Sequence, residues 1–282
     1  MNHITKLFAT DMDGTLLNDK GIISSYNLSA LQHLHNSGVI IAIATGRPFY
    51  SIRRLLGDNL HPIIDYAICM NGADIYDCHT RSHLFHANSL LTEQIKELIH
   101  IGNKFDTSFI QLSNSEYSVN YCRRSHVVYL FFYNIARFIY HKMIGKKHIP
   151  AERYTSNVRR LAGQQFEKIC FSGNHASLQK INDALLNSST YSIFFVSPTW
   201  LEVMHKGINK GTGLAYIQRI TNIDALHTAS IGDGENDLSM FAVSGTKIAM
   251  RNAMEAVKDA SNYVTDSNAN DGVGKWIEKY LL

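Results

Sequence analysis

The 282-residue chain has little of several things. Cysteines number four (Cys69, Cys78, Cys122 and Cys170), scattered with no C-x-x-C pair. That argues against a disulfide framework or a zinc site and reads as buried thiols of a protein kept in a reducing cytosol. Long hydrophobic runs are missing. Val39–Ala44 and Val127–Tyr133 are among the longest, whereas a membrane span needs about 20 apolar residues. The N-terminus shows no basic segment followed by an apolar core, so no secretory leader is expected. Charge is nearly balanced, with 27 Lys and Arg against 24 Asp and Glu, which gives little support to a nucleic-acid scaffold. No repeat and no low-complexity tract interrupts the chain. What remains is an ordinary globular composition, 45% hydrophobic and 18% charged, long enough for about two domains or one large one.

The order of elements is informative at both ends. Lys6–Thr10, Val39–Ala44 and Tyr66–Met70 are short apolar runs that each stop at polar residues, and helical segments separate them. The first helix can be capped by Ser24 or Ser25 and closed by Gly38, and the second runs from Pro48 to Gly57. The pattern returns with a helix at Lys210–Thr221, strands at Thr228–Ile231, Lys247–Met250 and Asn262–Thr265, and a closing helix over Val273–Leu282. Strands that alternate with helices and carry polar residues at their C-termini predict a parallel α/β sheet of Rossmann type, with the site at its carboxyl edge.

The middle predicts an inserted α+β unit. Strand candidates are Ser108–Leu112, Tyr117–Tyr121, Val127–Phe132, Lys168–Ser172 and Ser192–Val196, and helix candidates are Thr92–Phe105, Ile135–Ile144 and Ala176–Leu186. The expected division is 1–82 with 196–282 for the core and 83–195 for the insert. Residues 83–195 hold 13 basic and 7 acidic residues, a net of +6, and the remainder carries −3. The excess includes Arg123-Arg124, Lys146-Lys147 and Arg159-Arg160, and it suits a lid that attracts anionic substrates. Tyr121, Arg123 and Arg124 are candidates for lining a pocket. Phe131, Phe132, Phe194 and Phe195 read as sheet core, and the fourteen histidines as surface or core residues rather than ligands.

Acidic residues carry the chemistry. Asp11-Met12-Asp13-Gly14-Thr15 follows the first strand, and Gly232-Asp233-Gly234-Glu235-Asn236-Asp237 follows a late one. If both strands share one parallel sheet, Asp11, Asp13, Asp233 and Asp237 converge, and carboxylates so gathered need a hard cation such as Mg²⁺. No D-x-[DN]-x-[DN]-G calcium loop is present. Thr45-Gly46-Arg47 ends the second strand, where a hydroxyl and backbone N–H groups can hold phosphoryl oxygens. Lys210 opens a helix and can neutralise phosphoryl charge.

With these segments in this order, the chain resembles the haloacid dehalogenase (HAD) superfamily hydrolases, and among them the Cof-type phosphatases with a type IIB cap inserted after the second motif. Further matching segments are Asn71-Gly72-Ala73, Trp200-Leu201-Glu202-Val203 with Lys210-Gly211, Ala249-Met250-Arg251-Asn252-Ala253 and Asn270-Asp271-Gly272-Val273. His205 stands where the family commonly has proline, and Arg251 where it commonly has glycine. The resemblance implies Asp11 as nucleophile and Asp13 as general acid and base. It implies Mg²⁺ held by Asp11, the backbone carbonyl of Asp13, and Asp233. Met12, Thr45, Gly46, Lys210 and Asn236 are implied to bind the phosphoryl group, with Asp237 in support. The expected activity is Mg²⁺-dependent hydrolysis of small phosphomonoesters, sugar phosphates first, then pyridoxal phosphate, nucleotides or a phosphorylated flavin precursor. A phosphomutase, or a non-catalytic phosphate-sensing protein on the same fold, is the alternative. The expected partner is a small phosphorylated metabolite in the cytoplasm, with neither nucleic acid nor membrane; the sequence specifies no oligomeric state.

Overall fold

A computed structural model describes residues 4–56, 62–122, 153–161 and 163–282, together with 132, 135 and 139. Along the first part of the chain run β1 (Leu7–Thr10), α1 (Ser25–Asn36), β2 (Ile40–Ala44), α2 (Phe49–Leu56), β3 (Tyr66–Cys69), β4 (Asp74–Asp77) and β5 (His83–His86). Next come α3 (Thr92–Lys104), β6 (Phe109–Ser113), β7 (Ser118–Tyr121), β8 (Arg153–Thr155), β9 (Lys168–Ser172), α4 (His175–Leu185), β10 (Tyr191–Ser197) and β11 (Trp200–His205). The last part holds α5 (Lys210–Thr221), β12 (Thr228–Gly232), α6 (Leu238–Phe241), β13 (Thr246–Ala249), α7 (Glu255–Asp259), β14 (Tyr263–Val264) and α8 (Gly272–Tyr280).

The chain divides into two compact units, Met1–His86 with Asn209–Leu282, and Ala87–Ile208. In the first, an eight-stranded sheet has the order β14-β13-β12-β1-β2-β3-β4-β5. Six neighbouring strands, β14 to β3, run parallel, and β4 and β5 extend the edge antiparallel. β1 is buried along its whole length, as a central parallel strand covered on both faces must be. One face packs Leu31 and Leu34 of α1 with Trp276 and Ile277 of α8 against Phe8 and Ile41. The other packs Leu214 and Ile217 of α5 against Leu7, Ala9, Ala42 and Ile68. Local capping matches the sequence: the Ser24 side chain accepts from the Asn27 N–H.

Register brings the site together. Thr10 lies opposite both Ile43 of β2 and Ile231 of β12. The residues that follow each strand, Asp11, Thr45 and Asp233, therefore leave the sheet at one edge.

The second unit is a six-stranded sheet, β10-β11-β9-β6-β7-β8, antiparallel except for the last pair. Its core gathers Ile95, Leu98 and Ile99 of α3 and Leu178, Ile181 and Leu185 of α4 on Ile110, Phe171 and Leu201.

Several expectations change here. The insert begins at 87 rather than 83, because β5 pairs with β4 in the large sheet. It ends at 208 rather than 195, because β11 pairs with β9 and β10. The core segment expected at 196–208 thus belongs to the insert, whose excess charge stays at +6 since Glu202 and Lys206 offset each other. Glu202, read as a core motif residue, is a buried partner of Lys168 in the insert sheet, 2.6 Å from its Nζ. Tyr121, a candidate for lining a pocket, has a buried ring, and its hydroxyl accepts from Asn103 Nδ2 at 3.3 Å. Phe132 is exposed rather than core. Apart from Phe132, Ile135 and Ile139, the strand expected at Val127–Phe132 and the helix at Ile135–Ile144 lie outside the described residues. So do Gly57, Phe131, Arg123-Arg124 and Lys146-Lys147.

Candidate active site

Asp11 stands one residue past β1, held by its own N–H, which donates to Ile231 O at 3.0 Å. Its carboxylate is almost wholly buried. Lys210, the first residue of α5, reaches it from below: Nζ lies 2.5 Å from Asp11 Oδ1 and 2.7 Å from Asp237 Oδ1. The ammonium is buried too. Asn209 caps the helix that presents it, accepting from the Thr212 N–H at 2.8 Å.

Asp237 uses its second oxygen to shape the loop after β12, accepting from the N–H groups of Asp233 and Gly234, both at 2.9 Å. Asp233 is oriented by Thr15, whose hydroxyl donates to Oδ1 at 2.7 Å. Asp11, Asp233 and Asp237 each bring one carboxylate oxygen within 4.8 Å of the others. Gly14 lets the two acidic loops approach: its φ is +81°, and a Cβ there would collide with the Asp233 carboxylate. Asn252 ties the same loop down, donating to Gly14 O at 2.7 Å.

Asp13 projects elsewhere. Arg47 grips it with two bonds, Nε to Oδ2 at 2.5 Å and Nη2 to Oδ1 at 2.6 Å. This bidentate pairing is the strong form of an ion pair. Arg47 is placed by the turn after β2, where its N–H donates to Thr45 Oγ1 at 3.2 Å and its carbonyl accepts from Met70 N at 3.0 Å. Asn71, in left-handed backbone with φ 52°, donates its N–H to Thr45 O. Its side-chain oxygen accepts from Asn236 Nδ2 at 3.1 Å. Met12 is fully buried, and its carbonyl closes the turn by accepting from Leu17 N at 2.8 Å.

Sequence reasoning named Asp11, Asp13, Thr45, Lys210, Asp233, Asn236 and Asp237, and one sheet edge holds them all. It did not assign the Arg47 grip on Asp13, the Thr15 bond to Asp233 or the Asn71 bridge. Thr15, Arg47 and Asn71 each lie inside one of the sequence motifs, which is the available signal. Of the two departures, Arg251 pairs with Asp266 at 3.0 Å on the surface, and His205 closes β11 within the insert.

Electrostatically, three carboxylates face one ammonium. Burial, and then the neighbouring Asp237 and Asp233, push the Asp11 carboxyl well above the ordinary range, against the pull of Lys210. Burial and Asp237 push Asp233 up to about 6. The Asp11 and Asp237 charges outweigh burial at Lys210, so its ammonium is held above its ordinary value. An all-oxygen donor set with more negative charge than Lys210 can offset fits a hard divalent cation.

The sign of the resulting pH dependence is fixed. An unfolded Asp titrates near 3.9. Between about pH 4 and 6 the metal-free folded chain keeps a proton on Asp233 that the unfolded chain has released. The contribution of Asp233 to stability is therefore highest below this window and falls as pH rises through it, by about 3 kcal/mol. Urea unfolding in EDTA across pH 4–7 measures the slope. Relative to Asp233→Asn, the parent should lose about 3 kcal/mol across the window, and a difference that stays level or moves the other way would contradict the reading.

A family model for haloacid dehalogenase-like hydrolases matches residues 8–277. The chain is 28% identical, over 98% of its length and 96% of the other, to the 5-amino-6-(5-phospho-D-ribitylamino)uracil phosphatase YcsE of Bacillus subtilis. It is 25% identical over 90% of its length, and 86% of the other, to the HMP-PP phosphatase of Serratia proteamaculans. Among solved structures, the HAD subclass IIB sugar phosphatase BT4131 superposes with a TM-score of 0.81 at 25% identity, over 98% of this chain and 99% of that one. No described helix is long and apolar enough to cross a membrane. The acidic strand ends, the buried lysine and the match along nearly the whole chain place this protein in one family: it is a phosphatase that belongs to the haloacid dehalogenase-like hydrolases.

Proposed function

We propose that the chain is a Mg²⁺-dependent hydrolase of small phosphomonoesters that works through an aspartyl-phosphate on Asp11. One observation carries this reading: Lys210 holds the Asp11 carboxylate at the end of β1, within reach of Asp233 and Asp237. A carboxylate so fixed can attack phosphorus in line, and its aspartyl-phosphate splits hydrolysis into two displacements.

Asp13 is the proton carrier. It protonates the leaving alkoxide and then takes a proton from the water that attacks the intermediate. Both of its oxygens accept from Arg47, so one of those bonds must be exchanged for substrate as the proton moves. Lys210, the Thr45 hydroxyl and the N–H groups of Met12 and Gly46 spread the transition-state charge. Asn236 donates to a phosphoryl oxygen from its position beside Asn71. Asp237 holds Lys210 and the loop of Asp233 in place. Asp11, Asp233 and the Asp13 carbonyl would hold the cation; when bound, Mg²⁺ supplies charge neutralisation between carboxylates and phosphoryl oxygens.

The substrate is a small phosphorylated metabolite. Similarity to a sugar phosphatase supports sugar phosphates. A second class, the ribityl phosphates of flavin precursors, is supported by three relatives from Bacillus subtilis named as such phosphatases. The purified chain should hydrolyse a generic aryl phosphate in excess Mg²⁺ and stop reversibly in EDTA. Full activity in excess EDTA would refute the metal's role, and silence toward every phosphomonoester would favour a binding protein. A phosphate-release screen of sugar phosphates against ribityl phosphates ranks the two classes by kcat/KM.

A further inference from the structure

A second group of metal-binding side chains lies at the edge of the large sheet. Asp74 opens β4 with no exposed surface. His83 Nε2 lies 3.0 Å and His86 Nδ1 2.5 Å from its Oδ1. All three ligand atoms fall within 4.8 Å of one another.

A strand irregularity makes this possible. Side chains three apart on a regular strand face opposite sides. Here Ile75 pairs with Phe85 but Tyr76 with His83, so Leu84 is an extra residue on β5. The bulge shifts the alternation by one and turns both imidazoles to one side. Leu84 O, taken out of the ladder, accepts from the Tyr216 hydroxyl at 2.9 Å. The His83 ring is steadied by Tyr76, stacked at 4.4 Å, which itself stacks on Phe49 at 4.0 Å.

The carboxylate has capacity to spare. Asp74 Oδ2 is buried and has no hydrogen-bond partner among the described residues. Burying a carboxylate with one oxygen unpartnered is costly, and a cation held at Oδ1 offsets the buried charge. Each histidine is 39% exposed, which gives an ion a path from solvent. The group of Asp65, His35 and His79 has no such spare oxygen: Asp65 Oδ2 accepts from Ile41 N at 2.7 Å, Oδ1 is 2.8 Å from His79 Nε2, and His35 Nδ1 lies 3.6 Å from Oδ2.

We propose that Asp74, His83 and His86 form a second metal site, which takes a borderline divalent ion with Zn²⁺ first. Two imidazole nitrogens and one carboxylate suit Zn²⁺ rather than Mg²⁺, and three protein ligands leave a fourth position to water. Zinc bonds of about 2.0–2.1 Å set tetrahedral ligand atoms about 3.3 Å apart. The present spacings of 2.5 and 3.0 Å reach that by small outward rotations of the two rings. The site is independent of the phosphatase chemistry and would exist if that reading failed.

The test titrates the metal-stripped full chain with Zn²⁺ in excess Mg²⁺ and follows the imidazole ¹⁵N resonances. One equivalent should shift the ring nitrogens of His83 and His86 and leave those of His35 and His79 in place. The double variant His83→Gln with His86→Gln should bind one Zn²⁺ fewer, or the same ion at least about 100-fold more weakly. Its hydrolysis of an aryl phosphate in Mg²⁺, unchanged within twofold, verifies the fold. His83 and His86 resonances unmoved at one equivalent, or equal stoichiometry and affinity in parent and variant, would mean a hydrogen-bonded cluster only and overturn the proposal.

Discussion

Asp11→Asn is expected to lower kcat by about 10⁴-fold or more without loss of thermal stability. An amide cannot replace the carboxylate as nucleophile, and loss of a nucleophile removes the covalent route altogether. Stability should hold for a separate reason. Asp11 is buried, and burial with the neighbouring Asp237 and Asp233 disfavours its charge. Asparagine has the same shape and no charge. Lys210 loses one partner but keeps Asp237 at 2.7 Å. Relief of carboxylate repulsion should offset the lost ion pair, leaving the melting temperature of the metal-free chain unchanged or higher. Steady-state hydrolysis of an aryl phosphate and calorimetry in EDTA give the two numbers. Turnover within tenfold of the parent would remove Asp11 from its role. A large fall in melting temperature would mean that the carboxylate has a structural importance this geometry does not give it.

The acidic site was legible in the sequence because a parallel sheet makes strand ends meet. Asp11 after Leu7–Thr10, Thr45 after Ile40–Ala44 and Asp233 after Thr228–Gly232 lie beyond three neighbouring strands. Apolar runs that stop at acids or hydroxyls therefore located the edge without coordinates. Lys210 was legible by a different route, as a cation at a helix start. Features that depend on a loop's path were not legible. The turn that carries Arg47 toward Asp13 is tied by Met70 N to Arg47 O and by Asn71 N to Thr45 O, and Met70 and Asn71 stand in left-handed backbone with φ of 48° and 52°. Neither residue type demands that conformation. The insert boundary was missed because Trp200–His205 reads as an apolar segment in either sheet, and only pairing with β9 assigns it. The β5 bulge was invisible for the same reason: His83 and His86 at a spacing of three look as if they diverge, and one extra residue brings them together.

Lys210→Met carries the largest expected effect on stability. Its Nζ is the cation that touches two carboxylates at once, Asp11 at 2.5 Å and Asp237 at 2.7 Å, with all three groups buried. The methionine stem fills the same channel, so packing is kept and charge is removed. Stranding buried carboxylates costs about 3–5 kcal/mol, which should appear in urea unfolding in EDTA near pH 7. The carboxylates of the variant escape the cost only by taking up protons, so its deficit against the parent should shrink as the pH is lowered and grow as it is raised. Adding Asp237→Asn removes one stranded charge and should restore part of the loss. Saturating Mg²⁺ should also restore part of it, through the remaining carboxylates. Catalysis should respond differently. A fixed ammonium beside the attacking oxygen contributes about 10²–10³-fold by charge stabilisation, and that fall in kcat should persist when Mg²⁺ has recovered the fold. If Mg²⁺ restored kcat and stability together, Lys210 would be a counter-ion of the fold alone. If neither changed on substitution, the buried triad would not exist in solution.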